Sequence, residues 1–215
     1  ERIAWGDEKA KDEEAFKREK RIYEFSQVLT DPRGRPMMPA VKPFQIPFRH
    51  LCNLIQIADG DIGKAIVSLA RGGGPRVEQI PGIHARAIRA AYWIDECAPE
   101  EFRFRLRSPG GEPVKAAGGP AGPGTAESPE FPLSGAERAA IRDLRDSVIA
   151  KIESYTDDKS CAEAIYRVAS DHGMEGKVLF QAAYRALIGK NQGPRLANFL
   201  RSIDKDRLLG ILAEY

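Results

Sequence analysis

The sequence predicts an all-α protein: a helical bundle or cage in two lobes joined by a Gly/Pro-rich linker. Three observations carry that expectation. Apolar residues recur at three- and four-residue spacings through most of the chain, as one face of a helix requires. Helix-start and helix-stop residues punctuate those stretches. No alternating run of β-branched residues is long enough to specify a strand. The linker is visible as composition, since 12 of the 27 residues from Ser108 to Ser134 are Gly or Pro. Such a stretch cannot sustain a helix and has little to bury, so it is expected to be a flexible connector.

Taken in order, residues 1–30 read as a charged connecting helix. In DEKAKDEEAFKREKRIYEFSQVL, opposite charges recur at helical spacing, and the apolar residues Ile22, Phe25 and Leu29 come late. The first lobe spans 31–107. It opens on a proline-rich irregular segment. Pro47 then suits the start of a helix that turns Phe48, Leu51, Cys52, Ile55 and Ala58 inward. Asp61 opens a short helix through Ile62, Ile66 and Leu69, which stops at the glycines 72–74. A third runs from about Gly82 to Cys97, with Ile83, Ala87, Ala90, Ala91 and Ile94 inward and Pro99 closing it.

The second lobe spans 135–215. Ser134 and Glu137 have capping-box spacing, in which each side chain meets the other's free backbone N–H. The apolar stripe Ile141, Leu144, Val148, Ile152 and Tyr155 follows. Ser160 and Glu163 repeat the box before Ile165, Val168 and Ala169. Another helix covers Val178 to Leu187, and Gly189 suits its C-terminal cap. Pro194 opens the next, burying Phe199, Leu200 and Ile203. Asp204 caps a last helix carrying Leu208, Leu209 and Leu212.

Length and composition narrow the function. With 215 residues, 42% hydrophobic and 8% aromatic, the chain can build a real core. No apolar run approaches the ~18 residues of a membrane span, and no signal peptide is recognisable. The chain opens on Glu1 without Met, which is expected of a fragment or a processed chain. Cys52, Cys97 and Cys161 are odd in number and far apart, which fits a reducing cytoplasm rather than a disulfide scaffold. The three histidines are equally scattered, and no metal set is expected. Net charge is only +2. Residues 31–107, however, carry 12 bases against 8 acids, and 10 of those bases are Arg. Arg is the side chain best matched to phosphate and to stacked bases.

No catalytic constellation emerges, and no catalytic residue is assigned. There is no GxSxG, Walker loop or HExxH. Gly72 to Pro75 has the glycine content of a phosphate loop but follows a helix and lacks its Lys-Ser/Thr. Cys52 is expected to point inward as a packing residue. The acid pairs Glu100-Glu101 and Asp157-Asp158 are expected at helix starts, where they complement the helix dipole. What remains is polar residues at loop–helix junctions: Lys42, Gln45, Arg49 and His50 around one, Lys190, Asn191, Gln192 and Arg195 around another. Helix starts offer free N–H groups to phosphates, and Asn, Gln and Arg can read base edges.

The tail LIGKNQGPRLANFLRSIDKDRLL (187–209) resembles the C-terminus of class I lysyl-tRNA synthetases, where a helix ends in Gly-Lys and Gly-Pro-Arg opens the next. PFQIPFRHLCNLIQ (43–56) is similar to the start of the same family's anticodon-binding region. The resemblance implies a C-terminal anticodon-binding cage. Its partners would be lysine-accepting tRNA and the catalytic domain of the same parent chain. The parent would join lysine to tRNA through an adenylate, with ATP and magnesium as its cofactors. The HIGH- and KMSKS-type signatures of that catalysis are absent. The nearest pieces, DHGM (171–174) and DDKS (157–160), stand in the wrong order. This portion is therefore expected to need no cofactor. The expected RNA contacts are Lys42, Gln45, Arg49, His50, Lys190, Gln192 and Arg195. The competing reading is a helical protein-interaction module without nucleic-acid binding.

Overall fold

A computed structural model of the chain describes residue 33, residue 44, and residues 46–69, 74–108 and 133–215. The charged opening segment 1–30 and nearly all of the 108–134 linker lie outside the described residues, as do Lys42 and Gln45. Among the described residues the fold is all-α, with no strand.

Eight α-helices are described: α1 (Phe48–Ile57), α2 (Ile62–Leu69), α3 (Ile80–Glu96), α4 (Gly135–Asp143), α5 (Asp158–Asp171), α6 (Gly176–Ile188), α7 (Leu196–Ser202) and α8 (Lys205–Ile211). The chain divides into two compact units. One comprises residues 1–45 and Pro75–Ile83, the other Ile46–Gly74 and His84–Tyr215. In the first, a 3-10 turn, Val77–Gln79, leads into α3. The Arg76 N–H donates to Gln79 Oε1 at 2.9 Å, and the Gln79 N–H returns to the Arg76 carbonyl at 2.9 Å.

The second unit draws on elements from both sides of the 109–132 stretch. Its core is built on Leu144, Ile149, Ile165, Leu179, Leu187, Phe199, Leu200 and Leu208, all fully buried. They come from the π-helical and 3-10 turns that follow α4 and from α5, α6, α7 and α8, on the inward faces where the apolar spacing places them. Hydrogen bonds fix the extended segment 103–107 against this core. The Phe104 N–H donates to Gln56 Oε1 at 2.7 Å, and the Arg107 N–H donates to the Leu187 carbonyl at 2.8 Å. Gln56 is the buried polar residue of α1, 6% exposed, and its amide also reaches the Cys52 carbonyl at 3.5 Å. Gln56→Leu would strand the Phe104 N–H away from water. The expected cost is about 1–3 kcal/mol, read as a shift of the denaturation midpoint. An unchanged midpoint would mean that the N–H finds another acceptor.

Arginines tie the unit together through backbone carbonyls. Arg86 donates to Ile46, Arg138 to Leu133, Arg142 to Tyr215, Arg145 to Leu212 and Arg207 to Ile57. Arg207 also grips the Asp59 carboxylate at 2.7 Å.

Several caps stand as their sequence signals predict. Ser134 Oγ accepts from the Glu137 N–H at 3.2 Å, and Glu137 Oε2 accepts from the Ser134 N–H at 2.8 Å. Glu137 also pairs with Arg185. Gly189 takes a left-handed φ of 68°, and Asp204 Oδ1 accepts from the N–H groups of Asp206 and Arg207.

Four local expectations are corrected. The α5 cap is Asp157, not Ser160: the Asp157 carboxylate accepts the Ser160 N–H at 2.7 Å, and the helix starts a turn earlier. The 135–154 stripe is buried as predicted, but its helix passes through a π-helical turn (Leu144–Val148) into a 3-10 stretch (Ile149–Ser154). Phe48 does not point inward but is 47% exposed. Glu100 and Glu101 sit on a turn rather than at a helix start, since the Phe102 N–H closes onto the Pro99 carbonyl at 2.9 Å and the Arg103 N–H onto Glu100 at 3.2 Å.

Candidate nucleic-acid interface

The expected contact residues that lie within the described structure occupy two neighbourhoods. The first gathers the early turns of α1, α5 and α7. His50 stands in the first turn of α1, half-buried, in hydrogen-bond reach of Asn198 and close to Asp158. Asn198 Nδ2 donates to Asp158 Oδ2 at 3.1 Å, and Arg201 pairs with the same carboxylate. Burial lowers the His50 pKa, against the Asp158 charge and the Asn198 hydrogen bond, which favour protonation. The cluster therefore presents imidazole, amide, carboxylate and guanidinium groups together, a mixture of donors and acceptors of the kind that meets base edges. Arg195, exposed, stands at the N-terminal boundary of α7, one turn before Asn198.

The second neighbourhood is aromatic. Phe48 meets Trp93 edge to face, with centroids 5.2 Å apart at 74°. Trp93 meets Phe102 in the same way, at 5.1 Å and 80°. The Arg49 guanidinium lies over the Phe102 ring, 5.7 Å from its centroid. Trp93 and Phe102 were not singled out from sequence. The available signal was three aromatics within the Arg-rich block, but 45 residues separate the first from the second.

Lys190 belongs to the support of this surface. Its ammonium donates to the Glu100 carbonyl at 2.7 Å and to the Arg103 carbonyl at 2.5 Å, so it clamps the turn that carries Phe102. Burial lowers its pKa, opposed by the Glu100 and Glu101 charges. Gln192 is exposed in the loop that follows. That loop is pinned by Tyr184, whose hydroxyl donates to the Pro194 carbonyl and whose pKa burial raises to about 12.

Cys52 is fully buried, and burial raises its pKa to about 11, the condition of a packing thiol rather than a nucleophile. Cys97 is exposed. Among the described residues, no group of three His, Cys, Asp or Glu could hold a metal ion, and no helix is long and apolar enough to cross a membrane.

No family model matches the chain. Comparison with curated proteins is more informative. The lysine–tRNA ligase of Treponema pallidum is 38% identical over 216 residues, covering 100% of this chain and 35% of its own length. The lysine–tRNA ligase of Borrelia garinii is 32% identical over 100% of the chain and 36% of its own length. That of Pyrococcus furiosus is 31% identical over 96% and 34%. The chain thus spans about a third of the length of these relatives. It is homologous, from end to end, to one region of the class I lysine–tRNA ligases.

Proposed function

We propose that this chain is the tRNA anticodon-binding portion of a class I lysine–tRNA ligase and contributes recognition, not chemistry, to the charging of lysine tRNA. The observation that carries this reading is the match of the whole chain to about a third of the length of a protein named lysine–tRNA ligase. Activation of lysine with ATP and magnesium falls to the rest of the parent chain. Arg49, His50, Gln192 and Arg195, with Asn198 and Arg201, line the surface where the loop of the tRNA would lie. Lys190 supports it from beneath. A charged, partly aromatic surface suits unstacked bases and their phosphates.

The test is binding of the chain to lysine tRNA and to the same tRNA with a changed anticodon, at two salt concentrations. The expected result is preference for the first, with affinity falling as salt rises at a slope of about −0.7 per phosphate neutralised on a single strand. Arg195→Ala is expected to weaken binding and to reduce that slope by about one contact's worth. Wild-type affinity in this variant would remove Arg195 from the surface. Absence of binding at low salt would overturn the reading in favour of a protein-interaction module.

A further inference from the structure

We propose that Phe48, Trp93 and Phe102, with Arg49, form a preformed stacking seat for one unpaired nucleobase of the bound tRNA. The inference rests on the tRNA-binding reading and adds to it which atoms hold a base. Two phenyl rings pack edge to face against the same indole, which fixes both by contacts at 5.1–5.2 Å. Phe48 is nevertheless 47% exposed on the first turn of α1. A ring that served only the core would be covered, as Phe104 and Phe199 are.

The rest of the seat is held in place before any ligand arrives. The Phe102 turn is closed by its own backbone bonds, by Arg103 Nε on the Ala98 carbonyl at 3.0 Å, and by the Lys190 clamp. Binding therefore orders little that is not already ordered. The chemistry favours a base over an apolar protein side chain. Arg49 sets its guanidinium over an aromatic ring, and such a group can continue a stack of bases while its charge faces a phosphate. Glu100 and Glu101 lie exposed on the turn itself. They turn phosphates away from that side, so the base enters and the backbone passes along Arg49. The polar cluster of His50, Asn198, Asp158 and Arg201 begins one residue further along α1.

Trp93 supplies the readout. The chain has two tryptophans, and Trp5→Phe leaves Trp93 alone. Titrating that variant with lysine tRNA at low salt is expected to quench Trp93 fluorescence in step with binding measured by filter retention. Phe48→Ala and Phe48→Leu are both expected to weaken binding, by about five- to hundredfold, the range of one lost stacking contact. Phe48→Tyr is expected to retain it. Circular dichroism checks the fold, and a half-exposed ring is a mild deletion. Wild-type affinity in Phe48→Leu, or a silent Trp93 at saturating tRNA, would overturn the stacking seat while leaving tRNA binding intact. Failure of the unmodified chain to bind tRNA would overturn both readings together.

Discussion

Phe199→Ala is expected to destabilise the second unit by about 3–5 kcal/mol, the range for removing a buried phenyl ring. Phe199 is 1% exposed and lies at the centre of an aromatic row, 5.3 Å from Phe104 on one side and 6.5 Å from Tyr184 on the other. Both neighbours are tied, Phe104 at its backbone N–H by Gln56 and Tyr184 at its hydroxyl by Pro194. These ties limit how far the walls can collapse into the space, so a cavity term adds to the lost transfer energy. At about 2–4 °C per kcal/mol for a chain of this size, the midpoint of thermal unfolding should fall by roughly 6–20 °C. A fall of less than about 2 °C would show that the row repacks.

Gly193→Ala is expected to cost about 1–3 kcal/mol through overpacking and to lower tRNA affinity at the same time. A Cβ at residue 193 would stand 2.7 Å from Cδ1 and Cε1 of Tyr184 and 3.2 Å from the Ile188 methyl. Tyr184 is 8% exposed and held at its hydroxyl, so its ring has nowhere to go. Either the ring leaves the core or the 189–195 loop lifts away, carrying Gln192 and Arg195 with it. Gly176 supplies the control. A Cβ there would also meet a tyrosine ring, that of Tyr166, but this ring is 53% exposed and can swing into water. Gly176→Ala should stay within about 0.5 kcal/mol. Parallel denaturation and filter-binding measurements separate the two. Equal effects at both glycines would refute the argument from ring mobility.

What was legible in the sequence was what a few consecutive residues decide. The Ser134–Glu137 box, the left-handed Gly189 and the Asp204 cap are local hydrogen-bond and steric problems, and each stands where its residues predict. The burial of the 141–152 stripe was legible too. Its π and 3-10 turns were not, because helical periodicity barely registers one residue more or fewer per turn. Asp157 displaced Ser160 as a cap because two candidates three residues apart compete and a carboxylate is the stronger acceptor. The site was half legible. The junctions around residue 49 and residue 195 were visible as polar runs, but the roles within them come from distant segments. Lys190 reads as a free cation until the 100–103 carbonyls arrive beneath it. Phe48 reads as core until Trp93 packs against it and leaves the ring half exposed.

The arginines that hold backbone carbonyls have a consequence for how this chain can drift in sequence. At Arg86, Arg138, Arg142, Arg145 and Arg207 the guanidinium donates to a main-chain oxygen, and at Arg145 and Arg207 it spreads to hold a carboxylate as well. A lysine keeps the charge but offers a single compact head that cannot reproduce the planar spread. Exchange of Arg for Lys, neutral on most surfaces, is therefore a structural change above all at Arg145 and Arg207, where one guanidinium serves a carbonyl and a carboxylate together. It remains an easy exchange wherever the cation meets only a phosphate. Relatives that diverge under pressure to keep both the fold and the affinity should accordingly hold Arg at the first kind of site and alternate Arg with Lys at the second.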